Sequence, residues 1–191
     1  MRNFFEKELQ QPLQRLTAAN DSLQRVYMRG LMDMQPNKIF YPDANFTLRV
    51  TYGKVEGYEP ADAVYYNYYT TLSGIMEKED PNVYDYVVEP KLKTLYESGD
   101  YGQYADASGE MRVAFAASNH TTGGNSGSPV LNADGQMIGI NFDRCWEGTM
   151  SDLMYDPNVS RNISADIRYV LFIIDKFAGA SHLVNEMTLV K

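Results

Sequence analysis

Over residues 1–34 apolar side chains recur at three- and four-residue steps: Phe5, Leu9, Leu13, Leu16, Leu23, Val26, Tyr27 and Leu31. That period puts them on one face of a helix. Pro12 predicts a kink or restart in this segment, and Gly30 sits near its end. From Pro42 the period changes to two, and Phe46–Tyr52 alternates apolar with polar residues, as a half-buried strand requires. Tyr65–Thr71 predicts another strand, Glu89–Ser98 a short helix, and Met111–Ala117 a further strand. Val130-Leu131 and Met137–Ile140 flank Asp134-Gly135, which predicts a hairpin over 130–142. A strand near Asn162-Ile163 follows. In the last helix Ile167, Val170, Leu171, Ile174 and Phe177 share a face, Asp166 is placed to cap it, and Gly179 lies just past its end. Several short strands and a closing helix predict a mainly β chain built as a small antiparallel barrel. Residues 1–34 form its helical appendage, 35–191 the barrel, and 167–178 the closing helix.

A length of 191 residues allows one domain with a core, or one domain plus an appendage. Four of the fifteen tyrosines cluster at Tyr65, Tyr66, Tyr68 and Tyr69, which predicts a half-buried sheet face. Net charge is −8 with no basic stripe, so the chain is a poor candidate for nucleic acid and no such partner is expected, because neutralising phosphates needs clustered Lys and Arg. No apolar run reaches bilayer length and the N-terminus lacks a signal-peptide pattern, so a soluble chain without a membrane partner is expected. The one cysteine, Cys145, rules out an internal disulfide. It sits beside Trp146 at the end of an apolar strand without an adjacent histidine, which predicts a packed, inert thiol. No metal and no cofactor is expected.

The chemistry concentrates in Gly123-Gly124-Asn125-Ser126-Gly127-Ser128-Pro129-Val130, a loop of small residues that runs into an apolar strand. A serine becomes a nucleophile when a base takes its proton and backbone N–H groups stabilise the oxyanion that forms. Glycines around Ser126 permit a tight turn in which the amides of Gly124 and Ser126 point at one spot, as in trypsin-like serine peptidases. A glycine-rich hairpin loop that merely contains a serine is the alternative for this stretch alone. The same pattern occurs at the nucleophile elbow of α/β-hydrolases, which needs a helix straight after the serine. Gly127 and Pro129 disfavour that helix, so a strand is expected instead.

Beyond this loop, the chain carries Tyr41-Pro42-Asp43-Ala44-Asn45, Thr47-Leu48-Arg49, Thr51-Tyr52-Gly53-Lys54-Val55, Gly139-Ile140-Asn141-Phe142-Asp143 and Asp166-Ile167-Arg168-Tyr169-Val170-Leu171. With these it resembles the trypsin-like dipeptidyl peptidases of bacteria, the family containing dipeptidyl peptidases seven and eleven, and within it the Asp/Glu-specific group. The resemblance implies a double β-barrel of the chymotrypsin kind with a large added helical domain, of which this chain holds the second, six-stranded-type barrel. It further implies removal of dipeptides from free N-termini, a periplasmic, cell-surface or secreted location, and a homodimer for the full-length form. The matching positions imply Ser126 as nucleophile, the Gly124 and Ser126 amides as oxyanion hole, and Phe142 and Asp143 as holders of the substrate's α-amino group. A carboxylate there pairs with the ammonium and fixes where the peptide begins. The resemblance also implies that Arg144 lies where a subgroup of the family places an arginine in the pocket for the residue before the cut. Its guanidinium fork matches a carboxylate bidentately and is expected to select Asp or Glu. The alternative for Arg144 is a strand-end arginine paired with Asp143 or Glu147.

One departure from the family pattern is large. Only His120 and His182 exist, and His120 lies six residues before Ser126 in the same loop. A base must reach the serine oxygen while a third group orients it, and a neighbour on the same turn does neither well. His120 reads as a solvated loop histidine and His182 as surface or packing. The expected whole is therefore a larger serine exopeptidase acting on acidic peptides, with this chain as its C-terminal part. Its partners are the N-terminal barrel and the helical domain of the same protein, and alone it is expected to be inactive for lack of the triad His and Asp. Two alternatives stand. A glutamyl endopeptidase-like serine protease shares the nucleophile loop, but Phe142-Asp143-Arg144 and the helical segment count against it. A non-catalytic barrel domain is the other, since a fold does not guarantee its function.

Overall fold

The computed structural model describes residues 5–40 and 47–190. The chain divides into two units, residues 1–49 and 50–191.

In the first unit a π-helical turn over Phe5–Gln10 leads into α1 (Gln11–Met34). Pro12 sits in the first turn of α1, where its missing N–H removes no intrahelical bond, so it marks the α-helical start and does not kink the interior. The Gln35 N–H donates to the Leu31 carbonyl at 3.0 Å and closes the helix. Arg29 and Asp33 pair across one turn at 3.1 Å. The expected apolar face forms but is exposed: Leu9, Leu13, Leu16, Leu23, Val26 and Tyr27 all remain open to solvent.

The strand expected over Phe46–Tyr52 is not found. Phe46 and the Tyr41–Asn45 run lie outside the described residues, and Thr47–Tyr52 is irregular with Leu48, Val50 and Tyr52 exposed. Alternation supplies a face, but a strand also needs a continuous ladder. Asn119 Nδ2 donates to the Thr51 carbonyl at 3.2 Å, but strand-like pairing begins only further along, at the isolated bridge between Val55 and Ala117.

In the second unit β1 (Tyr58–Ala61) and β2 (Val64–Tyr66) form a two-stranded antiparallel ribbon. The tyrosine-rich run then breaks at Asn67, whose side-chain oxygen accepts from the Tyr68 N–H at 2.8 Å, and β3 (Tyr69–Thr71) joins a different sheet. One expected strand thus serves two sheets, and Tyr65 and Tyr66 are exposed rather than half-buried. Two short helices follow, α2 (Leu72–Glu77) and α3 (Pro90–Ser98), the second stopped by Gly99 at φ +64°. Then come β4 (Arg112–Ala117), β5 (Pro129–Leu131), β6 (Met137–Arg144), a 3₁₀ segment over Trp146–Asp152, and β7 (Asn162–Asp166). The closing helix is α4 (Ile167–Phe172), capped by Asp166 and widened into a π-helical turn over Ile173–Phe177. Gly179 ends it at φ +70°, and α5 (Ser181–Asn185) adds an unexpected last turn.

The main sheet is antiparallel throughout, in the order β3-β4-β7-β6-β5. It is open, with three-residue strands at both edges, so the closed barrel is not formed and the unit mixes helices with sheet. The physical reason lies in what covers the apolar face. Helix α4 packs on β4, β6 and β7, and the core cluster of Leu72, Val88, Leu92, Met111, Leu171 and Phe172 gathers helix and loop residues beside the β4 end of the sheet. A sheet whose face is buried by helices has no need to close on itself. No helix of the described residues is long and apolar enough to cross a membrane.

Candidate active site

The loop between β4 and β5 is pinned at its centre by asparagines. The Asn125 side-chain oxygen accepts from the Thr122 N–H at 3.0 Å, and the Asn125 carbonyl accepts from the Asn141 amide at 3.2 Å. Asn141 is buried on β6, where its own side-chain oxygen accepts from Asn162 of β7 at 2.9 Å. Gly124 and Gly127 adopt φ of +98° and +84°, conformations that a side chain would strain. The loop amides divide into two kinds. Those of Asn125, Gly127 and Ser128 donate to the carbonyls of Thr122, Asn141 and Asn125 at 3.2, 2.8 and 3.0 Å. Those of Gly124 and Ser126 have no hydrogen-bond partner among the described residues. Ser126 itself is exposed, and a strand follows it rather than a helix, as the sequence predicted.

On the facing strand β6, Asn141 pairs with Ser164 and Asp143 with Ile163, so Phe142 is an extra residue in a β-bulge. The bulge leaves Phe142 exposed and brings its carbonyl to the Ser126 hydroxyl, which donates to it at 3.3 Å. Ser126, Phe142, Asp143 and Arg144 line one cavity of about 210 Å³, together with Thr122. The structure therefore gathers Ser126, Phe142, Asp143 and Arg144 around a single opening, while Gly124 is not among its lining residues. Asp143 is exposed, its carboxylate accepting only from the Arg144 N–H at 2.8 Å among the described residues.

The half-buried Arg144 guanidinium is already paired, though with neither the Asp143 nor the Glu147 carboxylate. Its Nη1 and Nη2 donate to the two carboxylate oxygens of Asp152 at 2.6 and 2.7 Å. Glu147 instead accepts from the Tyr58 hydroxyl at 2.7 Å. Asp152 also accepts from the Thr122 hydroxyl at 2.7 Å. The Arg144 fork, and after it the Thr122 hydroxyl, hold the Asp152 carboxyl well below the usual carboxylate range. Asp152 was not singled out from sequence, since neither spacing nor motif links a residue at the end of a 3₁₀ segment to one on β6.

His120 is half-buried rather than solvated. Its Nε2 lies 2.9 Å from the Ser151 carbonyl, and its ring sits 5.0 Å from that of Tyr155. It is not among the residues that line the Ser126 cavity. His182 lies exposed on α5. Cys145 is buried, its thiol donating to the Val159 carbonyl at 3.1 Å, in keeping with a packed, inert cysteine. Chemically, the loop carries a hydroxyl and the uncommitted N–H groups of Gly124 and Ser126, and the opening adds an exposed carboxylate that can pair with a cation and a guanidinium that can pair with an anion.

A family model described as Peptidase S46 matches residues 3–189. An Asp/Glu-specific dipeptidyl-peptidase of Flavobacterium psychrophilum is 58% identical over 170 residues, covering 89% of this chain and 24% of that protein. A dipeptidyl-peptidase 7 of Phocaeicola vulgatus is 53% identical, over 90% of this chain and 24% of that one. Among solved structures, Porphyromonas endodontalis DPP11 in complex with the dipeptide Arg-Asp matches at a TM-score of 0.84 and 54% identity, over 92% of this chain and 26% of that one. The chain spans about a quarter of the length of the relatives it matches.

Proposed function

The chain belongs to the Peptidase S46 family, and on that premise we propose that it is the nucleophile-bearing part of a serine dipeptidyl peptidase that cleaves after Asp or Glu. Ser126 Oγ attacks the carbonyl carbon of the second substrate residue. The oxygen that becomes anionic is received by the N–H groups of Gly124 and Ser126. The serine proton passes to a base supplied from outside this chain, and that base returns it to the leaving amine. The substrate's free ammonium pairs with Asp143 beside Phe142, which sets the cut two residues from the end. Arg144 receives the acidic side chain next to the scissile bond.

The observation that carries this reading is the convergence of Ser126, Phe142, Asp143 and Arg144 on one cavity. The relatives named Asp/Glu-specific, and one solved with an Arg-Asp dipeptide, support acidic selection. The test uses the full-length protein that contains this segment. A phosphonate probe should label Ser126 and fail on Ser126→Ala, and peptides beginning X-Asp or X-Glu should lose a dipeptide. Acetylating the substrate N-terminus should abolish cleavage. Equal cleavage of acetylated peptides would instead indicate an endopeptidase, and absence of labelling a non-catalytic domain.

A further inference from the structure

We propose that Asp152 is a positioning residue for acid selection: it holds one edge of the Arg144 guanidinium so that the other edge is presented to the substrate carboxylate. This rests on the reading of Arg144 as the carboxylate-binding residue. A guanidinium has five N–H donors in a fixed planar fork. Asp152 takes one from Nη1 and one from Nη2, at 2.6 and 2.7 Å, and the Ser151 hydroxyl takes the second from Nη1 at 3.2 Å. The two donors left over, on Nε and Nη2, form the adjacent side-on edge. That edge is itself a bidentate match for a carboxylate. An acidic side chain can therefore be bound without displacing Asp152.

The anchor is fixed from several sides. The Thr122 hydroxyl donates at 2.7 Å to the Asp152 oxygen that accepts from Nη1, tying the carboxylate to the nucleophile loop four residues before Ser126. Ser151 is buried, and its carbonyl lies 2.9 Å from His120 Nε2. Asp152 thus sets the distance and plane of the Arg144 fork relative to Ser126. A misplacement of about 1 Å in a substrate-positioning group can cost roughly a hundredfold in kcat/KM.

The experiment measures kcat and KM of the full-length protein on matched dipeptidyl substrates ending in Asp, Glu and Leu. Asp152→Asn is expected to raise KM for the Asp and Glu substrates, lowering their kcat/KM roughly tenfold to a hundredfold, with kcat little changed. The Leu substrate should be unaffected, and Asp152→Glu should recover part of the loss. A lower KM for acidic substrates in Asp152→Asn would mean that the carboxylate competes with substrate, and would overturn the proposal. Equal losses on all three substrates would overturn it too, by marking Asp152 as general support. Phosphonate labelling of Ser126 reports that each variant is folded. If Asp152→Asn fails that check, Asp152→Glu is decisive, with a smaller loss in the same direction expected and unchanged acidic KM counting against. Arg144→Gly, run in parallel, tests the premise separately: equal losses on all three substrates there would sink the reading of Arg144 itself.

Discussion

Asp152 keeps its charge far into acid, because the Arg144 fork and the Thr122 hydroxyl both favour the ionised carboxyl. A depressed folded-state pKa gives an interaction fully present above the ordinary carboxylate range and lost only well below it. The clamp on Arg144 therefore stays intact through mildly acidic pH, and the substrate's own groups titrate first. A substrate Asp carboxyl titrates near about 4 and a peptide α-amino group near about 8. The preference for Asp over Leu substrates, as a ratio of kcat/KM values, should collapse as pH falls through about 4. If Asp143 pairs with the substrate ammonium as proposed, cleavage of the Asp, Glu and Leu substrates should decline above about pH 8, as that ammonium is lost. A kinetic pH profile on paired substrates checks both limbs, and a preference unchanged from pH 6 to 3 would contradict the first. The loop that presents Ser126, and the strand that follows it, were legible in the sequence. The partner of Arg144 was not, because Asp143 and Glu147 are nearer in sequence and only the path of the 3₁₀ segment brings Asp152 into reach.

At the scale of elements, the bulge at Phe142 does most to shape the site. Removing Phe142 leaves the pairings Asn141–Ser164, Asp143–Ile163 and Arg144–Asn162 free to close into a regular ladder. It also deletes the carbonyl that receives the Ser126 hydroxyl. Deletion of Phe142 should therefore leave the thermal midpoint within a few degrees while lowering kcat/KM by more than about a hundredfold. Gly139, three residues earlier, is demanded by packing. A Cβ there would come within 2.7 Å of both the Ala165 carbonyl oxygen and the Phe115 ring. Overpacking of this kind costs about 1–3 kcal/mol, so Gly139→Val should lower the midpoint by several degrees in a thermal melt. The hairpin around Asp134-Gly135 and the cap at Asp166 were readable, because turn and cap chemistry is local. The bulge was not, since one extra residue in a ladder shows only against the partner strand.

For the whole molecule, the core depends on contacts distant in sequence. Phe172 is fully buried and packs with Leu72, Met111 and Leu171. Phe172→Ala should destabilise this unit by about 3–5 kcal/mol, measurable by urea unfolding. In the first unit the apolar face of α1 is uncovered, and the relatives are about four times longer than this chain. The 191-residue chain alone should show negligible dipeptide release, since no histidine is engaged at Ser126 among the described residues; robust turnover abolished by Ser126→Ala would refute this. By itself the sequence determined the helices with strong three-to-four periodicity, the hairpin, and the loop that presents Ser126, because these depend on neighbours along the chain. Tertiary structure decided three things that depend on partners far away. The Phe46–Tyr52 alternation did not become a strand for want of a continuous ladder, the sheet stayed open because helices took its apolar face, and Arg144 was claimed by Asp152.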